Sequence, residues 1–196
     1  MHPQNKQNER IMGQANDITQ ELTLLHTLDG GDYSRQVERI ATRSEFHLLN
    51  GESSIFVCGG DSDSDYGNLL NAARKAVFHG YRVYILPNPK GVRTPDFIFE
   101  HKGIYRVYDL KTIIGKNSAI NRLRESIGQA NRVLLNMRSN YKAKVLALDI
   151  QNYFESSPDA REVLVFKEKS PPSRRLLTKN GAETFCLTPH VKRRLG

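Results

Sequence analysis

From Ser54 onward the sequence alternates short apolar runs with stretches whose apolar residues recur at helical spacing. That alternation admits few folds other than a sheet covered by helices. Ile55-Phe56-Val57-Cys58 reads as a buried strand closed by Gly59-Gly60-Asp61. Tyr66 to His79 predicts a helix with Leu69, Leu70, Ala73 and Val77 inward and Gly80 as its stop. Arg82 to Leu86 is a second strand, closed by Pro87-Asn88-Pro89. Phe97-Ile98-Phe99 and Ile104 to Leu110 are two more, and Glu100-His101-Lys102-Gly103 is short enough to be their hairpin turn. Ser118 opens a helix carrying Ile120, Leu123 and Ile127, followed by a strand over Arg132 to Asn136. Val145 to Phe154 predicts a helix, and Glu162 to Phe166 a last core strand. The expected fold class is α/β, a central mixed β-sheet flanked by helices.

Three segments follow from this pattern. Residues 1–50 form an N-terminal helical arm. Asn16 or Asp17 can cap a first helix with Ile18, Leu22, Leu25 and Leu28 on one side and Asp29-Gly30-Gly31-Asp32 as its end. A second helix runs from Ser34 through Val37, Ile40 and Ala41 to Leu48-Leu49. The arm packs on the later core or joins two copies into a homodimer. Residues 51–169 are the α/β core, and Ser170-Pro171-Pro172-Ser173 links it to a basic tail, 170–196.

Charge narrows the partners. The 196 residues carry 29 Lys+Arg against 21 Asp+Glu, a formal charge of +8. Lys167 to Gly196 holds eight bases and two acids, so six of the eight excess charges lie there. Such a field suits a polyanion, because each cation that neutralises a phosphate releases condensed counterions. No run approaches the ~20 apolar residues of a membrane span, and the first residues lack the apolar stretch of a secretory signal. The expected setting is cytoplasmic, without a membrane partner. Cys58 and Cys186 form no Cys-x-x-Cys pair, which argues against a disulfide framework or zinc knuckle. Asp61-Ser62-Asp63-Ser64-Asp65 suggests calcium, but the sixth and twelfth loop positions are Tyr66 and Ala72, where an EF-hand needs Gly and an acid. Asp at a helix entry is the better account. Neither a Walker lysine nor Gly-x-Gly-x-x-Gly occurs.

The informative segment is Thr94-Pro95-Asp96 and, thirteen positions after that Asp, Asp109-Leu110-Lys111-Thr112. On a strand Asp109 and Lys111 share one face, and Leu110 takes the other. A hairpin would bring Asp96, at its open end, beside them. Two carboxylates and an ammonium would then share a site able to hold a divalent ion, while the lysine supports the nucleophile or the phosphorane. The structural alternative is a strand-end Asp capping a turn next to an exposed Asp/Lys pair. Gly115-Lys116-Asn117-Ser118 opens the next helix, whose Ser118, Arg122, Glu125, Ser126 and Gln129 form a polar stripe. Lys116, Ser118, Arg122 and Gln129, with Thr112, are the expected substrate-binding residues around Asp96, Asp109 and Lys111.

Pro95-Asp96 followed by Asp109-x-Lys111 resembles the PD-(D/E)XK nuclease motif, whose core is α-β-β-β-α-β. The stretch from Gly80 to Met137, with Gln129-Ala130 at the end of its helix, also resembles the tRNA-nuclease domains of bacterial contact-dependent inhibition toxins. That group includes both restriction-endonuclease-like and barnase/EndoU/colicin/RelE-like folds. Extended through Asn152 to Lys167, the pattern is similar to mobilisation proteins of mobile elements in Bacteroides-type bacteria. The resemblance implies an endonuclease acting on RNA, tRNA included, or on DNA. Asp96 and Asp109 would be metal ligands for Mg²⁺, Lys111 would be catalytic, and an immunity or mobilisation protein would be a partner. The helix before the first core strand, Asn68 to Arg74, lacks the Glu common in metal-dependent members, and Asp65 substitutes for it poorly. That departure leaves a metal-independent RNase open, and beside it a nucleic-acid-binding accessory protein without catalysis.

Overall fold

The computed structural model describes residues 18–59, 65–89, 91–115, 119–167 and 173–178. Eight strands lie side by side in chain order: β1 (Phe46–Leu48), β2 (Ile55–Cys58), β3 (Arg82–Ile85), β4 (Phe97–His101), β5 (Ile104–Ile113), β6 (Arg132–Met137), β7 (Glu162–Lys167) and β8 (Ser173–Thr178). Strands β2 and β3, β5 and β6, and β6 and β7 pair in parallel. The remaining neighbours are antiparallel. A parallel pair cannot be closed by a tight turn and needs a crossover. Here the crossovers are α3 (Tyr66–Phe78), α4 (Ala119–Glu125) and α5 (Ala143–Ser156). The chain is an α/β protein with a mixed sheet, and the order α3-β3-β4-β5-α4-β6 is α-β-β-β-α-β. Among the described residues no helix is long and apolar enough to cross a membrane.

Alternation along the strands sends side chains to two separate cores. On one face, Ala72, Ala73 and Ala76 of α3 pack on Val83, Ile85, Phe97, Phe99, Tyr108 and Leu110. These alanines let the helix backbone approach the sheet closely. On the other face, α4 and α5 cover Ile113, Val133, Leu135, Val163 and Val165 through Leu123, Leu146 and Ile150. The arm shares this second face. Its α1 (18–24) and α2 (Gly30–Ala41) set Ile18, Leu22, Val37 and Ile40 against Tyr84, Ile98 and Val107. Ile18, Leu22, Val37 and Ile40 of the arm are thus buried within its own chain.

Three expectations about the ends are corrected. The first helix ends before Asp29-Gly30-Gly31-Asp32, but the second starts within that segment and not at Ser34: Gly30, at φ 55°, opens α2 with Asp29 in the N-cap position. The second helix stops at Ala41, and Phe46-His47-Leu48 becomes β1 because it pairs with Cys58-Val57-Phe56. Phe46 then meets the Tyr84 ring edge-on at 5.4 Å, a contact that no helical reading of this stretch supplies. At the other end β7 is not the last strand: Ser173 to Thr178 pairs with it, so part of the basic tail is a sheet edge. Residues 170–172 and 179–196 lie outside the described residues.

Because α2 closes a core, Ile40→Ala should behave as an interior truncation, since Ile40 has no exposed surface. A loss of about 2–5 kcal/mol is expected in urea unfolding. A loss well below about 1 kcal/mol would mean that the arm is only loosely attached.

Candidate functional site

The β4–β5 hairpin builds the site. His101 pairs with Ile104, so Lys102 and Gly103 alone make the turn, at φ 53° and 77°. Positive φ at both central positions is the type I′ requirement, which fits the right-handed twist of the strands. The turn sets the register: Phe97 faces Tyr108, and Asp96 precedes Phe97 while Asp109 follows Tyr108. Asp96 stays in the ladder, its N–H donating to the Tyr108 carbonyl at 3.0 Å. Its carboxylate Oδ2 accepts from the Leu110 N–H at 2.6 Å. The hairpin and this bond hold the Asp96 side chain against Asp109, as the sequence spacing anticipates.

Lys111 completes the group. Its Nζ lies 2.8 Å from Asp109 Oδ2 and donates to Gln129 Oε1 at 3.2 Å. Gln129 sits in the turn after α4, so that helix delivers the residue that orients the lysine. Among the described residues that buried Asp109 oxygen has the Lys111 counterion but no hydrogen bond of regular geometry. Beneath the group, Tyr153 is buried, and its hydroxyl lies 3.4 Å from Ser126 Oγ. Burial pushes the Tyr153 phenol up and the Asp109 charge adds to the rise, so this floor is neutral.

The two carboxylates cannot both ionise freely. Burial, then the charge of Asp109, pushes Asp96 up to about 8. Burial also raises Asp109, opposed by the Lys111 ammonium beside it. Both carboxyls thus resist ionisation, Asp96 the more strongly, so that a proton is shared between them above the ordinary carboxylate range while the Lys111 ammonium serves Asp109 as counterion. Asp96 and Asp109 are the residues that could hold a hard divalent cation, which would have to displace the Lys111 ammonium now 2.8 Å from Asp109 Oδ2. Mg²⁺ is commonly held by one or two carboxylates with waters and substrate phosphate supplying the rest. No group of three or more His, Cys, Asp or Glu that could hold a metal occurs among the described residues.

The other expected site residues divide. Gln129 reaches Lys111, as above. Arg122 pairs instead with Glu125 at 2.9 Å on the outer turn of α4, and Glu125 is near enough to oppose ionisation of Asp109. Thr112 is corrected: one residue beyond Lys111, it projects to the α3 face of the sheet, in register with Asn136. Asn136 is bonded there to Lys75 at 2.7 Å and to Asn71 at 3.0 Å. Thr112 therefore cannot share a substrate with Lys111. Lys116 and Ser118, in the turn that opens α4, lie outside the described residues, as does the stretch 61–64.

One feature escapes sequence reasoning. A cleft of about 960 Å³ opens between the arm, β5, the turn after α4 and the loop between α5 and β7. Pro95 and Gln129 line it on the side of the Asp96–Lys111 group, and Tyr33 lines it from the arm. Burial raises the Tyr33 phenol, while Arg132 and Arg161 stand close enough to oppose the rise. The cleft joins segments more than 100 residues apart, and no local pattern in the chain points to it.

Comparison of the chain with family models, with curated proteins and with solved structures finds no match.

The shared proton has a consequence for stability. A carboxyl whose folded pKa is raised holds a proton that the unfolded chain has released, so stability falls as pH rises from about 4 through about 8 and then levels off. Asp96→Asn keeps the acceptor for Leu110 N–H and removes the titration. In urea unfolding at pH 5, 7 and 9, wild type should lose stability over this range more steeply than the variant. Parallel profiles would show that Asp96 is ionised throughout.

Proposed function

We propose that this chain is a nuclease-like protein that binds nucleic acid and cleaves its phosphodiester backbone, with RNA, tRNA among it, ahead of DNA. The observation that carries the reading is the hairpin register, which gathers Asp96, Asp109 and Lys111 into one half-buried group with Gln129 fixing the lysine. The α-β-β-β-α-β order around that group and the Pro95-Asp96…Asp109-x-Lys111 motif support the same conclusion. A basic chain end suits the polyanionic substrate. An origin in a mobile element or toxin system, with a matching partner protein, belongs to this reading as well.

On RNA the ionised Asp109 accepts the proton of the 2′-hydroxyl while the 2′-oxygen bonds to phosphorus. Lys111 stabilises the negative charge that gathers on the phosphoryl oxygens. The bond to the 5′-oxygen breaks, that oxygen takes a proton from water, Asp109 returns its proton to the hydroxide left behind, and the products are a 2′,3′-cyclic phosphate and a 5′-hydroxyl. Asp96 and Asp109 lie side by side, so they serve the attacking side together and do not divide into a base and an in-line acid. A divalent ion held by Asp96 and Asp109 would, when bound, supply a water nucleophile and charge stabilisation on the phosphate.

A second reading is a nucleic-acid-binding accessory protein without turnover. The resting ion pair favours it, since Lys111 is already engaged by Asp109 and Gln129. Incubation with total tRNA and with plasmid DNA, in Mg²⁺ and in EDTA, followed by end-group analysis, separates the readings. The expected result is a cyclic phosphate that persists in EDTA; a 5′-phosphate requiring Mg²⁺ would indicate the metal route. Lys111→Ala should lower cleavage by about 10²-fold or more. Binding should change little, with folding verified by circular dichroism. Cleavage at the wild-type rate in Lys111→Ala would exclude this site.

A further inference from the structure

We infer that the cleft between the N-terminal arm and the core holds the base of an unpaired nucleotide next to the phosphate presented to Lys111. The inference deepens the nuclease reading and rests on it. Continuity is the first argument: Pro95, adjoining Asp96, and Gln129, the partner of Lys111, line both the site and the cleft. A chain whose phosphate lies at Lys111 can therefore send a neighbouring base into the cleft without leaving the surface.

Lining chemistry supports a base over a phosphate. The charges are balanced, Arg93 and Arg161 against Asp29 and Asp159, which gives a second phosphate no net attraction. A nucleobase is a flat apolar body with a polar edge, and the cleft offers both kinds of contact. Leu25 and Tyr33 supply apolar and aromatic surface from the arm, and Asn131 supplies an amide on the opposite side. At about 960 Å³ the cleft is at the upper end of the roughly 300–1,000 Å³ range of small-ligand pockets. That volume accepts one or two nucleotides and excludes a stacked duplex. The substrate is then a single strand, a loop or an end, whose bases can be splayed from the stack.

The role of the arm follows. Its position makes it one wall of a binding site, so the two helices, which carry no chemistry of their own, decide which nucleic acids can reach the carboxylates.

The test uses the full chain and oligonucleotides of one sequence, in RNA and DNA forms, with a central segment paired, unpaired, or unpaired and abasic at one position. Wild type should cut the unpaired form at least about ten-fold faster than either the paired or the abasic form. Ala130→Trp, which fills the cleft from its lining, and Asn131→Ala should each reduce cleavage of the unpaired form by a similar factor, mainly through KM. Neither should lower cleavage of the abasic form further, since one interaction cannot be lost twice. Equal cutting of the intact and abasic forms, or additive losses, would overturn the inference and leave the nuclease reading standing. If nothing is cut, the nuclease reading fails, and anisotropy with the same oligonucleotides decides the cleft on its own. Binding that depends on the base and is blocked by Ala130→Trp supports it, and binding indifferent to both overturns it.

Discussion

Everything at the candidate site depends on the register of one hairpin. Side chains alternate along a strand, so a slip of one residue between β4 and β5 would carry Asp109 and Lys111 to the α3 face. It would also place Leu110 where the charge now sits. Two features resist that slip. The two-residue turn at Lys102-Gly103 leaves no spare residue to absorb it. The Asp96 carboxylate, bonded to the Leu110 N–H, would lose its donor. The bond that positions a chemical group therefore also locks the strand pair that carries the rest of the group.

The division of the sheet into two faces explains which polar residues can cooperate. Beneath α3, alanines bring the helix close, and the polar groups of that face, Lys75, Asn71 and Asn136, bond to one another. Tyr108, Glu162, Arg106 and Arg132 make a second polar network along the same side, with the Tyr108 hydroxyl bonded to Glu162. The opposite face carries Asp109 and Lys111 between two helical covers, the arm and the α4–α5 pair. Since these covers come from distant segments, a gap remains between them. The cleft is that gap, and its location next to the carboxylates follows from where β5 passes from one cover to the other.

The central part of this arrangement was legible in the sequence because its cause is local. Apolar runs with Gly and Pro punctuation mark β2 to β7, and the spacing of Asp96, Asp109 and Lys111 across a short turn needs only strand alternation to become a site. Thr112 shows the limit of reading by proximity: adjacency in sequence places it on the wrong face. Phe46-His47-Leu48 reads as helix in the sequence because Leu48-Leu49 continues an apolar spacing, and only pairing with β2, a tertiary contact, makes it a strand. Ser173 to Thr178 was hidden for the same reason, since a charged edge strand lacks the apolar pattern of an interior one. Asn131 and Arg161 had no signal at all. What joins them is a backbone bond from the Arg161 N–H to the Asn131 carbonyl at 2.8 Å, between loops that the parallel β6–β7 pair brings together.

Charge distribution gives the electrostatics a direction. The chain is basic overall, yet its candidate chemical centre is a pair of crowded carboxylates with a single lysine, and the adjoining cleft is balanced. The attraction for a polyanion that the proposed function requires would thus not originate at the centre. It would originate in the excess of Lys and Arg toward the chain end, which includes Arg174 and Arg175 on the β8 edge strand. A field placed away from the centre would draw a phosphate backbone in without competing for the phosphate proposed to lie at Lys111. On the proposed nuclease reading, the raised ionisation of Asp96 and Asp109 would have a clear part: a proton held between them would lower the negative charge that an approaching phosphate meets. Were both carboxylates ionised and unscreened, the centre would repel such a substrate. Burial of the pair would then be more than a cost tolerated for packing, since it is the burial that opposes ionisation and would let an acidic site accept an anion.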